Sequence, residues 1–373
     1  MKLLIVVNVD WFFLSHRLPI ALGALNAGYE VHIATTLTQE PEQLEAYGFV
    51  VHPLTLNRSA AGPIGLAKLT LDLIRLIWRV QPDVLHLVTI KPVLLGGLAA
   101  RLTPVERVIF AVSGLGHVFV AEGLLGRLQR TLVGALYRFV LGAQNSVVIF
   151  QNPDDRQAIE SVAQLSPERV VLIPGSGVDL EQYVERPVGP GIPVVLMAAR
   201  LLTTKGVREY VAAAQQLRRA GAQVRFWLVG EPDLANPASI QPDELAEWLR
   251  QGDVEVLGHR TDMADLMAQS LLVVLPSYRE GLPKVLIEAA ACGRAVITTD
   301  VPGCRDAIEN GVTGVLVPPR DAEALATAIG GLLLDRAKCE AMGRAGRERA
   351  QKLFDVRTVV EEHLRIYAGK EAG

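Results

Sequence analysis

A chain of 373 residues, 50% hydrophobic but only 5% aromatic, has material for two α/β domains rich in Ala, Leu and Val, which excludes a disordered or fibrous protein. The formal net charge of -3 argues against general nucleic-acid binding, while leaving room for local basic faces. Three cysteines, Cys292, Cys304 and Cys339, without a C-x-x-C pair or a tight ligand cluster, point to reduced thiols in a cytoplasmic protein rather than a disulfide framework or a metal centre.

In chain order, the opening run MKLLIVVNVDW is too short and lacks the small-residue cleavage site of a signal sequence, so it reads as a first core strand over 2–8. Helix 17–27, strands 30–35 and 49–54, helix 65–80, strand 83–89 and helix 93–102 follow. Then come strand 107–112, a glycine turn, helix 124–141, strand 146–150, helix 154–162 and strand 169–173. Such alternation means a doubly wound parallel sheet. PGSGVDLEQYVERPVGPGIP, rich in Gly and Pro, reads as a linker, and a second βαβ series begins at Pro193. No apolar window reaches the length of about 18 residues that a spanning helix needs, so the protein is not expected to be integral to a membrane.

The second half carries the chemistry. The apolar run Leu271 to Leu275 suits a buried parallel strand, and the segment from Pro283 has helical spacing, so PSYREGLP lies where a strand's carboxyl end meets a helix N-terminus. Such a corner favours anions. Glu280 sits in the turn beside Gly281, whose missing side chain would admit a ligand to the backbone, and Glu288 leans back along the helix toward the same place. A carboxylate there can accept hydrogen bonds from vicinal ribose hydroxyls; two glutamates alone suit equally a helix with an exposed first-turn acid. In VVLMAARLLTTKGVREYV, Arg200 and Lys205 fall at another strand's carboxyl end, where a guanidinium and an ammonium can neutralise a diphosphate.

ARLLTTKG, FWLVGEP and the run from VLGHRTD to GVLVPP, in this order and with normal spacing over nearly all of 193–320, resemble the nucleotide-binding half of the retaining glycosyltransferases of family 4. The E-x7-E pair of that family is matched by Glu280 and Glu288, and its Arg and Lys by Arg200 and Lys205. The resemblance implies the GT-B architecture: two Rossmann-like, doubly wound domains facing a central cleft, with an N-terminal acceptor domain (1–175), a C-terminal nucleotide-sugar domain (176–354) and a last helix (355–373) returning to the first. It also implies roles. Arg200 and Lys205 stabilise the departing diphosphate, Glu288 holds the ribose, and Glu280 meets the donor sugar or supports its oxocarbenium-like centre. Backbone groups around Gly281, Leu282 and Pro283 approach sugar and phosphate, though Pro283 donates no hydrogen bond. The base, uracil by resemblance, rests near Gly258, His259 and Arg260. With no D-x-D triplet in the chain, neither metal nor other cofactor is expected.

Signals in the first half are weaker. His16 and Arg17, with Ser15 as a possible N-cap, are expected at the first strand-to-helix turn, where they are candidates for the acceptor site. FAVSGLGHVF supplies Gly114, Gly116 and His117; Ser113 stands where many family members carry a histidine. This turn and TIKPVLLGGLAARL resemble the subgroup of N-acetylgalactosaminyl and fucosaminyl transferases that extend lipid-linked oligosaccharides. The implied acceptor is an undecaprenyl-diphosphate-linked saccharide, in the assembly of cell-surface polysaccharide or glycoprotein glycan. Basic amphipathic stretches, with Lys68, Arg75, Trp78 and Arg79 in one and Arg127, Arg130 and Arg138 in another, suit either sheet-covering helices or a peripheral contact with the inner face of the cell membrane. A Rossmann dehydrogenase is excluded because no glycine triplet follows the first strand. An epimerase of the same architecture and a non-catalytic nucleotide-sugar binder are the rival readings.

Overall fold

The computed structural model describes residues 1–55, 62–114 and 123–370. Among them the chain forms two compact units, Met1–Ser176 with Arg357–Gly373 and Gly177–Val356.

The first unit is built on a parallel sheet of β1 (Lys2–Val9), β2 (Glu30–Thr36), β3 (Val50–Pro53), β4 (Val84–Val88), β5 (Arg107–Val112), β6 (Ser146–Phe150) and β7 (Val170–Leu172), ordered β3-β2-β1-β4-β5-β6-β7. Successive strand residues point to opposite faces, and here both faces are covered. Leu4 and Val6 enter one core while Leu3, Ile5 and Val7 enter the other. That two-sided burial explains why β1 is a continuous apolar run. The second core is closed by the last helix, Val356–Tyr367, through Val359, Ile366 and Tyr367.

Residues 9–16, expected as a turn, are helical: Asp10–His16 follows β1 directly, and Arg17 separates it from the helix Leu18–Asn26. Asp10 explains the early start. Its buried carboxylate accepts hydrogen bonds from Trp11 N at 2.7 Å, Thr38 N at 2.5 Å, Thr38 Oγ1 at 2.6 Å and Gln39 N at 3.0 Å. Burial alone pushes its pKa up, but these bonds prevail and hold it below the usual value. The expected helix 93–102 also differs, being π-helical over Pro92–Gly96 and α-helical over Gly97–Ala100.

The second unit repeats the plan with β8 (Val194–Ala198), β9 (Arg225–Val229), β10 (Glu255–Gly258), β11 (Leu272–Leu275), β12 (Ala295–Thr299) and β13 (Gly314–Val317), all parallel, ordered β10-β9-β8-β11-β12-β13. The order reverses between β8 and β11, and open α/β sheets bind ligands outside the carboxyl ends of the strands at such a reversal. The three cysteines are free and buried. Among the described residues no helix is long and apolar enough to cross a membrane.

Candidate active site

The turns after β8 and β11 meet at the reversal point of the second sheet. Lys205 forms an ion pair with Glu280 Oε1, and the Ser277 hydroxyl lies 2.6 Å from the same oxygen. The turns are also joined by backbone, Tyr278 N donating to Thr204 O at 2.9 Å. Gly206, at φ 73°, makes this approach possible because a Cβ there would run into the Pro276 carbonyl. Two predicted site residues, 75 positions apart, are thus in direct contact.

Glu288 lies on the helix Lys284–Ala291 and is only 7% exposed. Burial raises its pKa, while the Lys284 ammonium and a hydrogen bond from Tyr183 pull it back. Lys284 Nζ stands 3.2 Å from Glu288 Oε1, one helical turn earlier. Arg200 bonds Asp233 at 3.0 Å, just past the carboxyl end of β9. Three cations therefore face three carboxylates at one sheet edge. The Arg200–Asp233 pair keeps 39% and 25% exposure, and a pair so wet is worth about 0–1 kcal/mol.

Outside this contact, Tyr278 donates to Glu209 Oε1 at 2.6 Å beneath the Arg320 guanidinium, 4.7 Å from the ring centroid. Burial and Glu209 push the Tyr278 hydroxyl up to about 12.

Several expectations need correction. Gly281, Leu282 and Pro283 are buried, so the open backbone approach anticipated beside Gly281 is absent. The loop at Pro302 and Gly303 covers the turn: Glu280 N donates to Pro302 O at 3.2 Å, and a Cβ on Gly303 would lie 2.5 Å from the carbonyl oxygens of Glu280 and Gly281. The accessible part of the corner belongs to Tyr278, Arg279, Glu280 and Lys284. Gly258 ends β10 at φ 67°, its carbonyl accepting from Gly230 N at 2.8 Å; His259 and Arg260 are exposed there, Arg260 held by Asp262 at 2.8 Å.

In the first unit, His16 stacks on Phe12 with centroids 4.2 Å apart, its Nδ1 2.6 Å from the Ser15 hydroxyl, at the end of a helix rather than at a strand-to-helix turn. Ser15 is accordingly not an N-cap. Arg17 is 2% exposed and turned inward, which overturns its placement at an acceptor-facing turn. Its surroundings include His86, His363 and Tyr367, and burial lowers its pKa to about 10. His86 Nδ1 meets the Tyr367 hydroxyl at 2.7 Å, so this cluster ties β4 to the last helix. Gly114 follows β5 at φ 114°. Gly116 and His117 lie outside the described residues, as do the side chains of Arg127 and Arg130.

Sequence reasoning did not single out Asp233, Ser277 or Tyr183. The first two follow strands at the edge that already held Arg200 and Glu280, a positional signal that was there to be used. Tyr183 sits in the Gly/Pro-rich linker, with no local signal.

Comparison with known proteins bears on the fold and the class of the chain. The description "Glycosyl transferases group 1" matches residues 192–335, and "Glycosyl transferase 4-like" matches residues 2–152. An N,N'-diacetylbacillosaminyl-diphospho-undecaprenol alpha-1,3-N-acetylgalactosaminyltransferase of Campylobacter jejuni is 27% identical, covering 95% of this chain and 97% of the relative. The capsular polysaccharide biosynthesis glycosyltransferase CapM of Staphylococcus aureus is 26% identical over 95% of this chain and 94% of its own. Among solved structures, Anabaena HepE in complex with UDP and glucose superposes with TM-score 0.78 at 21% identity, covering 99% of both chains, and so bears on the fold alone. With the two descriptions together matching both halves in order, the chain belongs to the glycosyltransferases, 4-like in its first half and group 1 in its second, and is an enzyme of the GT-B fold.

Proposed function

We propose that this glycosyltransferase moves a hexosyl or N-acetylhexosaminyl group from a UDP-sugar to a sugar hydroxyl of an undecaprenyl-diphosphate-linked saccharide, with retention at the anomeric carbon and without a metal ion. The meeting of Lys205 with Glu280, beside Arg200 and Glu288 at one sheet edge, carries the reading. The bond from the anomeric carbon to UDP breaks, a bond to the acceptor oxygen forms, and the departing diphosphate takes up the hydroxyl proton. Lys205 and Arg200 leave their carboxylates for the diphosphate, where fixed cations lower the barrier most because charge develops there. Freed from Lys205, Glu280 is available to the donor sugar, and Glu288 accepts from the ribose hydroxyls. The lipid-diphospho acceptor in the Campylobacter relative's name, and the UDP and glucose bound in the Anabaena structure, support the substrate classes.

An acceptor anchored in lipid brings the enzyme to the inner face of the cell membrane. The helix Pro63–Val80 supports that: Ile64, Leu71 and Trp78 are 86%, 51% and 53% exposed, on an outer side shared with the exposed Lys68, Arg75 and Arg79. Sedimentation with anionic vesicles at low salt tests it, and protein remaining in the supernatant refutes it.

The direct test of function is UDP release from a panel of UDP-sugars in EDTA, offered with a short-chain lipid-diphosphate-linked sugar. Acceptor-dependent release from one donor, lost in Glu288→Ala, is the expected result. Conversion of a UDP-sugar into its epimer without acceptor would overturn the reading.

A further inference from the structure

Glu288 is a buried carboxylate with two unforeseen partners. Lys284 approaches along the helix, and Tyr183 arrives from the segment between β7 and β8. The Tyr183 ring belongs to the core of the second unit, and its hydroxyl reaches Glu288. The segment carrying it is stapled in place. Arg347 Nη1 donates to Tyr183 O at 2.7 Å and to Ala291 O at 2.5 Å, while Nη2 reaches Leu180 O at 3.3 Å. One guanidinium thus ties the linker to the last residue of the helix that bears Glu288.

A carboxylate has about four acceptor positions, so two donors leave it capacity for a ligand. An isolated buried carboxylate would instead take up a proton and become partly a donor. We infer that Tyr183 and Lys284 are the positioning pair for Glu288, holding it oriented so that its remaining acceptor capacity meets the 2′ and 3′ hydroxyls of the donor nucleotide. This rests on the proposed ribose contact of Glu288 and assigns its selectivity to a residue of the linker. Neither residue touches the reacting atoms.

The test is a calorimetric titration with UDP, GDP, 2′-deoxy-UDP and 2′-deoxy-GDP. The wild type is expected to bind its preferred ribonucleotide about tenfold more tightly than the deoxy form, the scale of one hydrogen bond to a charged group. Tyr183→Phe and Lys284→Met should each cut that preference at least threefold, by weakening the ribonucleotide alone. Lys284→Arg should retain it. A merely structural role would weaken both nucleotides equally, and that outcome, or variants with the wild-type preference, overturns the inference. A wild type that ignores the 2′-hydroxyl overturns it together with the ribose role of Glu288, whereas preference for GDP changes only the base and leaves both standing. Should Tyr183→Phe fail to fold by circular dichroism, Lys284→Met, at a partly exposed side chain, decides alone.

Discussion

The two units share one plan, a parallel sheet whose strand order reverses near its middle, yet they put their charges to opposite uses. In the second unit Arg200 and Lys205 stand at the carboxyl edge, paired with carboxylates but partly exposed. In the first unit the Arg17 charge goes inside, beside the His86 and His363 imidazoles, which burial keeps from protonating and which lie where the sheet meets the last helix. A cation a few positions past a strand in the sequence is therefore not by itself a ligand site. What distinguishes the two cases is whether the charge keeps contact with water and has a carboxylate beside it.

Several measurements can break or sharpen that contrast. The largest effect is expected from Lys205→Met, which should lower turnover on the order of 10²–10³-fold, as loss of one preorganised charge does, with little change in melting temperature. A rate within threefold of wild type would remove this corner from the chemistry. Gly303→Ala forces a side chain into the φ 79° turn against Glu280 and Gly281, so destabilisation of about 1–3 kcal/mol should accompany a fall in kcat. Thermal melts and steady-state rates on the same sample would read both, and unchanged values would mean that the loop yields.

Next comes pH. His363 is held down to about 3 by burial, from an ordinary 6.5, and His86 is shifted in the same direction. The unfolded chain takes up these protons as pH falls below 6.5 and the folded chain does not. Stability should then be full above 6.5 and decline from there toward pH 3, with His363→Gln flattening the decline in a denaturant series.

Arg17→Met removes a buried charge that has no carboxylate partner among the described residues, so the melting temperature should hold or rise, with nucleotide affinity and acceptor KM unchanged. A tenfold rise in acceptor KM would return Arg17 to the acceptor site. The smallest effect belongs to Arg260→Ala, expected to change donor affinity less than threefold, because an exposed charge already held by Asp262 has little to give. Calorimetry with UDP would detect anything larger.

Much of the second unit was legible because its site residues follow strands directly: Arg200, Lys205 and Glu280 sit in turns whose position is determined once the apolar runs are recognised as parallel strands. In the first unit the same rule misplaced Arg17, since the helix begins at Asp10 instead of after Ser15. The cause was a hydrogen-bond partner 28 residues away, Thr38, which no local pattern announces.

Alternating period and turn residues, which act within a few positions, determined from the sequence alone that there are two α/β halves, a linker between them, and charged turns at strand ends. Only the tertiary structure decided which charges meet. It paired Lys205 with Glu280 and Arg200 with Asp233, brought Tyr183 to Glu288, covered Gly281 with the Gly303 loop, and turned Arg17 inward. Those outcomes depend on packing between segments far apart in the chain, where burial and charge pairing are set by neighbours that sequence spacing does not encode.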